Sequence, residues 1–315
     1  MSIKVGIPRG MLYYDYCVLW KEFFNNLGLE VIISPKTNKA ILDRGVETCV
    51  DEACLPVKIF HGHVDYLKDK VDYIFIPKII SVYKREYGCP KHLGLPEMVK
   101  HSIEGLPPII DTNINLRRSE KNLKTIVIEI GKNFEESPRK IYAAFKTAYD
   151  KYKDSVDMMT SGIIPIDIIG KHDAFTLIKN TKKENSKKIL LLGHSYNVYD
   201  QYINMDLGKK LKKAGYDVIT AEMIEDNKVR YYASMLPKRM FWTNGQRILG
   251  SAFSFMEEES ICGIIYVSAF GCGLDSVLID LVERKAKEKR IPFLLITIDE
   301  QTGEAGVNTR VEAFT

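Results

Sequence analysis

Short apolar segments alternate with longer segments of helical periodicity along the first third of the chain. Residues 3–7, 30–34 and 73–76 are each predicted as a buried strand. Between the first two, residues 11–27 carry aromatic side chains at spacings of three and four, which predicts a helix that ends near Gly28. Strands separated by helices form parallel sheets that helices cover on both faces. The chain is therefore predicted to have an α/β fold.

The same alternation returns in the last part of the chain. Strands are predicted at residues 189–192, 217–220, 264–268 and 292–298, with helices between them. Residues 115–153 have helical character, whereas residues 155–185 are mixed and receive no assignment.

These patterns predict two flavodoxin- or Rossmann-like domains. Residues 1–115 form the predicted N-terminal α/β domain, residues 116–185 a helical bridge and linker, and residues 186–315 the C-terminal α/β domain. Ligands of open parallel sheets bind beyond the carboxyl ends of the strands. We therefore expect the functional site in the cleft between the two domains.

Composition excludes several classes of partner. A net charge of +4, from 45 basic and 41 acidic residues spread along the chain, does not predict binding to nucleic acid. No run approaches roughly 18 consecutive apolar residues, so no membrane-spanning helix is expected. The first residues predict a strand rather than a signal peptide. We expect a soluble cytoplasmic protein, in whose reducing surroundings the six cysteines form no disulfides.

Three of the cysteines have the surroundings of metal ligands. Cys54 lies where a loop enters a helix, and the positive end of the helix dipole favours a thiolate there. Cys89 lies in a Gly-Cys-Pro turn beyond a strand, and Cys272 lies between Gly271 and Gly273, where backbone can approach a bulky inorganic ligand. The sulfides of iron–sulfur clusters need such nearby N–H donors. The alternative is three unrelated buried thiols.

The other cysteines are assigned differently. Cys49 is either a fourth ligand or the inward-facing residue of residues 46–50, whereas Cys17 and Cys262 are predicted as small core residues. The chain contains no CxxC pair, which disfavours a structural zinc ribbon. His61 and His63 are two apart, so on a helix they point in different directions, and they are predicted to be hydrogen-bonded helix residues.

Two basic residues are candidates for contact with an anion. Arg9 follows the first strand and contacts a phosphate or carboxylate, or else is a surface charge. Lys58, one turn into the helix after Cys54, offsets the charge of the thiolates or contacts an anionic ligand, or else is an exposed helix residue.

Two further segments follow predicted strands. The turn at residues 193–197 contains His194, Tyr196 and Asn197 and is of the kind that binds anions through backbone N–H groups. Near the end of the chain, Glu304 belongs to a carboxylate-rich segment that either does acid–base work or, as we expect, has a structural role at a helix.

Several motifs resemble those of one known family. The chain resembles the acyl-CoA dehydratase activase-related proteins of the 2-hydroxyacyl-CoA dehydratase (2-hydroxyglutaryl-CoA dehydratase component D) superfamily. The resemblance rests on the sequences GIPRGMLYY at 6–14, DEACLPVK at 51–58, HGH at 61–63, GHSYNVYD at 193–200, FGCGLDS at 270–276 and DEQTGEAG at 299–306. These motifs span nearly the whole chain.

This resemblance implies flavodoxin-like domains and a [4Fe–4S] cluster held by three cysteines, with a double-cubane cluster in a related branch. By motif, the ligands would be Cys54, Cys89 and Cys272. The surrounding or substrate-contacting residues would come from the motifs listed above and are Arg9, Lys58, His194, Tyr196, Asn197, Gly271, Gly273 and Glu304. In that superfamily an ATP-dependent activator injects one electron into the dehydratase, so the implied partners are such an activator, a small acyl-CoA and a second subunit, identical or related.

The resemblance leaves the reaction open. The chain has no phosphate-binding glycine loop, so it is not expected to be the ATP-dependent activator itself. One hypothesis is an iron–sulfur enzyme, a lyase or an oxidoreductase, with one-electron chemistry on an acyl-CoA or another small substrate. The second is an electron-transfer or scaffold partner of the activator, without a substrate of its own. The third is a binding module that holds no cluster.

Overall fold

The computed structural model describes residues 2–163 and 187–315. The chain divides into two compact units, Met1–Ser155 and Val156–Thr315, and each is described by itself. Most of the segment that the sequence left unassigned lies outside the described residues. The boundaries at residues 115 and 185 stay a prediction.

The first unit alternates strands and helices as predicted. Its strands are β1 (Lys4–Ile7), β2 (Glu30–Ile33), β3 (Tyr73–Phe75), β4 (Lys78–Ser81), β5 (Ile109–Ile110) and β6 (Asn113–Asn115). Its helices are α1 (Tyr13–Asn26), α2 (Lys39–Thr48), α3 (Leu55–Leu67), α4 (Pro90–Ser102), α5 (Leu123–Gly131) and α6 (Pro138–Thr160), the last of which continues beyond Ser155.

Within the described part of this unit, the main sheet has four parallel strands in the order β2-β1-β3-β5. The pair β4-β6, also parallel, forms a separate two-stranded sheet. The strand order of the main sheet is the one with which flavodoxin-like sheets begin, and it reverses direction between β1 and β3. A ligand of this unit is therefore expected at the carboxyl ends of these two strands.

Helix α3 covers one face of this sheet and α1 the other. On α3, Val57, Phe60, Val64 and Leu67 recur every three or four residues and are almost fully buried, in a core that also contains Ile74 and Ile76 of the sheet. Between these two isoleucines, Phe75 points to the opposite face and contacts the aromatic rings of α1 at Trp20 and Phe24. Each such side chain contributes about 1.5–3 kcal/mol of burial free energy.

Helices α2 and α3 pack unusually closely at two glycines. A Cβ atom on Gly45 would lie 2.0 Å from the carbonyl oxygen of Lys58, and one on Gly62 would lie 1.9 Å from that of Ile41. Because side chains larger than hydrogen do not fit there, the pair of glycines fixes the spacing of the two helices. The end of α2 and the start of α3 carry Cys49 and Cys54.

The second unit repeats the architecture. Its strands are β7 (Lys188–Gly193), β8 (Asp217–Thr220), β9 (Ile261–Ala269) and β10 (Phe293–Ile298). Its helices are α7 (Ser195–Tyr199), α8 (Leu207–Lys213), α9 (Asp226–Ala233), α10 (Thr243–Phe255), α11 (Gly273–Lys289) and α12 (Glu304–Phe314).

In the described part of this unit the strand order is β10-β9-β7-β8, and every pairing is parallel. The inner strands β7 and β9 are nearly continuous apolar segments, with Leu190, Leu192, Ile264 and Ile265 at 0% exposure. Strands buried on both faces need this composition. The order again reverses between the first and third strands, here β7 and β9, so the two carboxyl ends beside each other mark the expected ligand position.

None of the helices in residues 2–163 and 187–315 is both long enough and apolar enough to cross a bilayer.

Candidate functional site

The three predicted ligand cysteines share one local structure. Cys54 is the N-cap of α3, Cys89 is the N-cap of α4 and Cys272 is the N-cap of α11. Each is half-buried and free of any disulfide bond. The N-terminus of a helix carries a partial positive charge, which suits a sulfur ligand that binds as a thiolate. The sequence predicted this setting only for Cys54.

The two units hold these cysteines separately. Cys54 and Cys89 belong to the first unit and Cys272 belongs to the second. The predicted meeting of the three sulfurs in a cleft between domains therefore stays a prediction.

In the first unit, Cys49 lies near the start of both cysteine-capped helices. Burial raises the pKa of the Cys49 thiol, while the backbone N–H of Val50 and the positive charges of Lys58 and Lys91 act to lower it. Negative charge on Cys54 acts to raise the pKa of the same thiol. Since Lys91 follows Cys89 by two residues, Cys49 is within electrostatic reach of the starts of α3 and α4. Cys49 and Cys54 also pack against the same apolar core.

Lys58 is a buried cation. Its exposed fraction is 2%, so the alternative of an exposed helix lysine is wrong. A buried ammonium group requires negative or polar neighbours. The positive charge of Lys58 acts to lower the pKa of the Cys49 thiol.

Arg9 lies at the carboxyl end of β1, as the sequence predicted. Its backbone N–H donates to Ser34 Oγ at 2.8 Å, and its Nε donates to the carbonyl oxygen of Ser34 at 3.2 Å. The guanidinium group also stands over the ring of Tyr13, 5.2 Å from its centroid. Arg9 is thus held in place by the end of β2 and by α1.

His63 is fully buried on α3. Burial, together with the positive charge of Arg9, lowers its pKa to about 3. Its Nε2 pairs with Thr37 Oγ1 at 3.1 Å, while its Nδ1 has no hydrogen-bond partner among the described residues. His61 pairs through Nδ1 with the carbonyl oxygen of Val57 at 2.8 Å. Both histidines are hydrogen-bonded helix residues, as predicted.

In the second unit, the ends of β7 and β9 place three ligand atoms together. Strand β7 leads into His194, and β9 leads through a short turn into Cys272 and Asp275 at the start of α11. Gly193 makes this possible, because its φ of +142° suits glycine and a Cβ atom there would lie 2.3 Å from the carbonyl oxygen of Val267. His194 can therefore turn toward β9 directly after the paired strands.

The distances within this group are short. His194 Nε2 lies 3.2 Å from Asp275 Oδ1 and 3.9 Å from Cys272 Sγ. All three ligand atoms lie within 4.8 Å of one another. Among the described residues, this is the group of three metal-ligand side chains that the fold brings together.

Asp275 is fixed by hydrogen bonds from β9. Tyr266 OH donates to Oδ1 and Ser268 Oγ donates to Oδ2, each at 2.8 Å. Burial acts to raise the pKa of Asp275, but the charge and hydrogen bond of His194, followed by the bonds from Ser268 and Tyr266, outweigh it and lower the pKa. Asp275 is therefore a carboxylate in the interior of the unit.

His194 is fixed on its other side. Its Nδ1 lies 3.2 Å from Asn244 Nδ2, and its ring stacks on that of Tyr196 with centroids 5.0 Å apart. Burial acts to lower the pKa of His194, yet the carboxylate of Asp275 raises it well above the usual value. Nearby in sequence, Asn197 is fully buried, and neither polar atom of its side chain has a partner among the described residues.

The glycines beside Cys272 are open to their surroundings. Cβ atoms on Gly271 or Gly273 would meet nothing within 4 Å in this unit. This open space agrees with the expectation that a ligand can approach the backbone here.

Glu304 lies at the start of a helix, and its role there stays a prediction. It is the first residue of α12 and forms an ion pair with Lys210 at 2.6 Å. On the same helix, Arg310 donates to the carbonyl oxygen of Leu295.

The two remaining cysteines, Cys17 and Cys262, differ in burial. Cys17 is a core residue at 3% exposure, as predicted. The prediction for Cys262 was wrong: it is exposed on β9, with Sγ 3.2 Å from the carbonyl oxygen of Lys188. Cys262 is the second residue of β9, and the amino end of an otherwise buried strand can leave one side chain exposed, which the sequence does not reveal.

Sequence reasoning missed four residues of the second unit's site, namely Asp275, Tyr266, Ser268 and Asn244. Three of these left a signal. Asp275 follows Cys272 by three residues, which on a helix places both on one side. Tyr266 and Ser268 are two apart in a strand, which places both on one face. Asn244 reaches His194 only through the tertiary fold.

Comparison with known protein families identifies the family of this chain. Residues 4–224 match the model of the CoA enzyme activase uncharacterised domain (DUF2229). The match covers well over half of the chain. The chain belongs to this family. The matched segment includes Cys54, Cys89 and His194, and it ends before Cys272 and Asp275.

Comparison with individual proteins adds little. No curated protein matches the chain. One solved structure that matches is described as a sugar transporter from Clostridium phytofermentans. It is 10% identical over 99% of this chain and 93% of its own, with a TM-score of 0.20. At that TM-score the likeness supports no argument about fold or function.

Proposed function

We propose that this member of the CoA enzyme activase domain family is an iron–sulfur protein in which Cys54, Cys89 and Cys272 hold a [4Fe–4S] cluster. The observation that carries the proposal is that all three cysteines are half-buried thiols at helix N-termini. Thiolates in such positions are the usual ligands of these clusters, and the first N–H groups of a helix can donate to cluster sulfur. A double-cubane cluster is a variant of the same proposal.

The surrounding residues fit a negatively charged group. The buried ammonium of Lys58 and the nearby Lys91 place positive charge where Cys49 and Cys54 lie. Such charge favours thiolates and offsets the charge of a cluster. Cys49, with its raised pKa, is less suited to act as a fourth ligand.

When bound, a cluster of this kind supplies one electron at a time to a substrate or partner. The chain's own residues would hold the substrate and set its orientation. Arg9, at the carboxyl end of β1, is placed to meet a phosphate or carboxylate group of an acyl-CoA. His194, Tyr196 and Asn197 follow β7 at the corresponding position of the second unit.

A cavity in the first unit favours a substrate over electron transfer alone. It measures about 60 Å³ and lies at the carboxyl ends of β1 and β3, with Met11, Phe60, Leu95 and His92 among its lining residues. His92 belongs to the first turn of α4, the helix that Cys89 caps, and its backbone N–H donates to the carbonyl oxygen of Cys89 at 2.9 Å. The cavity has room for a short apolar group such as the chain of a small acyl thioester.

The proposal includes partners. Membership of a CoA enzyme activase domain family agrees with a role beside a separate ATP-dependent activator that would deliver the electron. A dimer, with itself or with a related subunit, is part of the same proposal.

Iron and acid-labile sulfide, measured after anaerobic purification and reconstitution, test the proposal. The intact protein should contain about four of each per cluster, and Cys54→Ala, Cys89→Ala and Cys272→Ala should each lose most of the iron and the visible absorbance. Cys262→Ala, an exposed thiol outside the predicted site, serves as the matched control and should keep both. Equal iron in all four variants would exclude this ligand set. Iron without turnover of any acyl-CoA would favour the electron-transfer role.

A further inference from the structure

We propose that the second unit alone binds a single divalent transition-metal ion of the Zn²⁺ class through His194 Nε2, Cys272 Sγ and a carboxylate oxygen of Asp275. This site is independent of Cys54 and Cys89, and the inference does not rest on the proposed function. It assigns to Asp275 and His194 a role as metal ligands.

The ligand set and its spacing carry the proposal. Zn²⁺ binds sulfur at about 2.3 Å, and imidazole nitrogen and carboxylate oxygen at about 2.0–2.2 Å, usually as a tetrahedron. In such a tetrahedron the sulfur and nitrogen lie about 3.5 Å apart and the nitrogen and oxygen about 3.3 Å apart. The observed separations are 3.9 Å and 3.2 Å. For the three atoms to bind one ion, Cys272 Sγ moves toward His194 and Asp275, from which it is less than 4.8 Å away.

These distances fit one ion better than a cubane. Each iron of a [4Fe–4S] cluster takes a single protein ligand, so ligands on different irons lie farther apart than two ligands of one ion. His194 and Cys272 lie at the separation of two ligands on the same ion. Occupation by a single ion and by a cluster are therefore alternatives that share Cys272.

Hydrogen bonds behind the ligands hold them in position. Tyr266 and Ser268 donate to Asp275, and Asn244 pairs with the second ring nitrogen of His194. Ligating histidines and carboxylates commonly have such partners, which fix the orientation of the ligand. After a half-turn of its carboxamide, Asn244 accepts from Nδ1–H, and binding of the metal displaces the proton that Nε2 carries in the metal-free site.

The burial of the ligands also fits a metal with an open position. His194 and Asp275 have side chains at 1% and 0% exposure, whereas Cys272 is half-buried. Gly271 and Gly273 leave open space on either side of Cys272, and in this proposal a water or a substrate atom takes the fourth position from that side. Three protein ligands with an open fourth position are characteristic of catalytic rather than structural zinc.

Cobalt titration of the full chain tests the site. The Cys54→Ala/Cys89→Ala double variant, freed of metal with a chelator, is titrated with Co²⁺, and Zn²⁺ affinity follows from competition. We expect one Co²⁺ per chain with a thiolate-to-cobalt charge-transfer band. Adding Cys272→Ser should abolish that band. This substitution is mild because serine is a good N-cap. Adding Cys262→Ser, the matched control, should leave it unchanged.

A further variant tests the ligand support. Ser268→Ala should weaken Zn²⁺ binding by about 10–100-fold, because Asp275 loses one of its hydrogen bonds. If the double variant does not fold, the wild type freed of iron and of other metals serves as the background.

The outcomes separate this proposal from the cluster. Absence of the charge-transfer band in the double variant, or its survival in Cys272→Ser, overturns the single-ion site and leaves the iron and sulfide assay of the wild type untouched. In that case His194 and Asp275 form a buried ion pair only. A wild type that binds Co²⁺ at this site but never assembles iron and sulfide overturns the cluster and keeps the single-ion site.

Discussion

Among single residues, His63 is a histidine that the folded first unit keeps neutral. Burial and the charge of Arg9 lower its pKa to about 3, whereas an unfolded chain holds a histidine near its ordinary pKa of about 6.5. As the pH falls below about 6.5, the unfolded chain takes up a proton that the folded chain does not. The free energy of unfolding therefore falls with decreasing pH, down to about pH 3.

We expect His63→Gln to reduce this pH dependence. In the wild type, His63 alone should contribute a slope of up to about 1.4 kcal/mol per pH unit between about pH 4.5 and 6. Urea unfolding of the first unit at several pH values measures the slope in each variant. His101→Gln changes an exposed histidine and is the control. Equal slopes in His63→Gln and wild type would show that His63 takes up its proton in the folded state.

The sequence predicted single residues unevenly, and burial explains where it failed. The surroundings of Cys54, Cys89 and Cys272 were readable because helix starts and glycines are local signals. Lys58 was not, because the same helix position can face solvent or the interior, and only the fold buries it. Asp275 and Asn244 lie on helices that are distant in sequence from His194, so no local pattern reveals that they meet it.

Among elements, the close contact of α2 and α3 decides where Cys49 and Cys54 lie. The two glycines allow each helix to approach the carbonyl groups of the other. A methyl group at either position would overlap a backbone oxygen and force the helices apart. The thiols at the ends of these helices would then move with them.

We expect Gly45→Ala and Gly62→Ala each to destabilise the first unit by about 1–3 kcal/mol, the usual cost of overpacking. Urea unfolding measures the change. Gly94→Ala is the matched control, because a Cβ atom there meets nothing within 4 Å and alanine is favoured over glycine within a helix by about 0.8–1.0 kcal/mol. A loss of stability in Gly94→Ala as large as in the other two would contradict the steric explanation.

The sequence predicted the central strands more accurately than the peripheral strands and helices. Apolar runs at 73–76, 189–192 and 264–268 correctly predicted inner strands, because strands buried on both faces must be apolar. The β4-β6 pair was missed, since Asn113–Asn115 is short and polar and gives no apolar run. Between β8 and β9 the alternation predicted helical structure, and the structure has two α-helices there, Asp226–Ala233 and Thr243–Phe255.

For the whole molecule, each unit has its own parallel sheet and its own buried residues. The sheet of the second unit, β10-β9-β7-β8, lies entirely within residues 187–315. The hydrogen bonds that hold His194 and Asp275 also lie within that range. The described sheet of this unit contains no strand from the first unit, and the proposed metal site contains no ligand from it.

We therefore expect a fragment of residues 187–315 to fold by itself. It should unfold cooperatively in urea and keep the thiolate-to-cobalt band of the full chain. Leu191→Asp, which puts a charge on a residue of β7 that is 2% exposed, should abolish both and is the control. A fragment with circular dichroism and unfolding no different from Leu191→Asp would show that the first unit is required.

The position of His194 and Cys272 at the ends of the two innermost strands affects how the site responds to local opening. Backbone amides of β7 and β9 are bonded to neighbours on both sides, so they should exchange with deuterium more slowly than those of the outer strands. Fraying at the sheet margins leaves these two strands in register. The geometry of the ligands should consequently survive every partial opening and disappear only when the entire unit loses its structure.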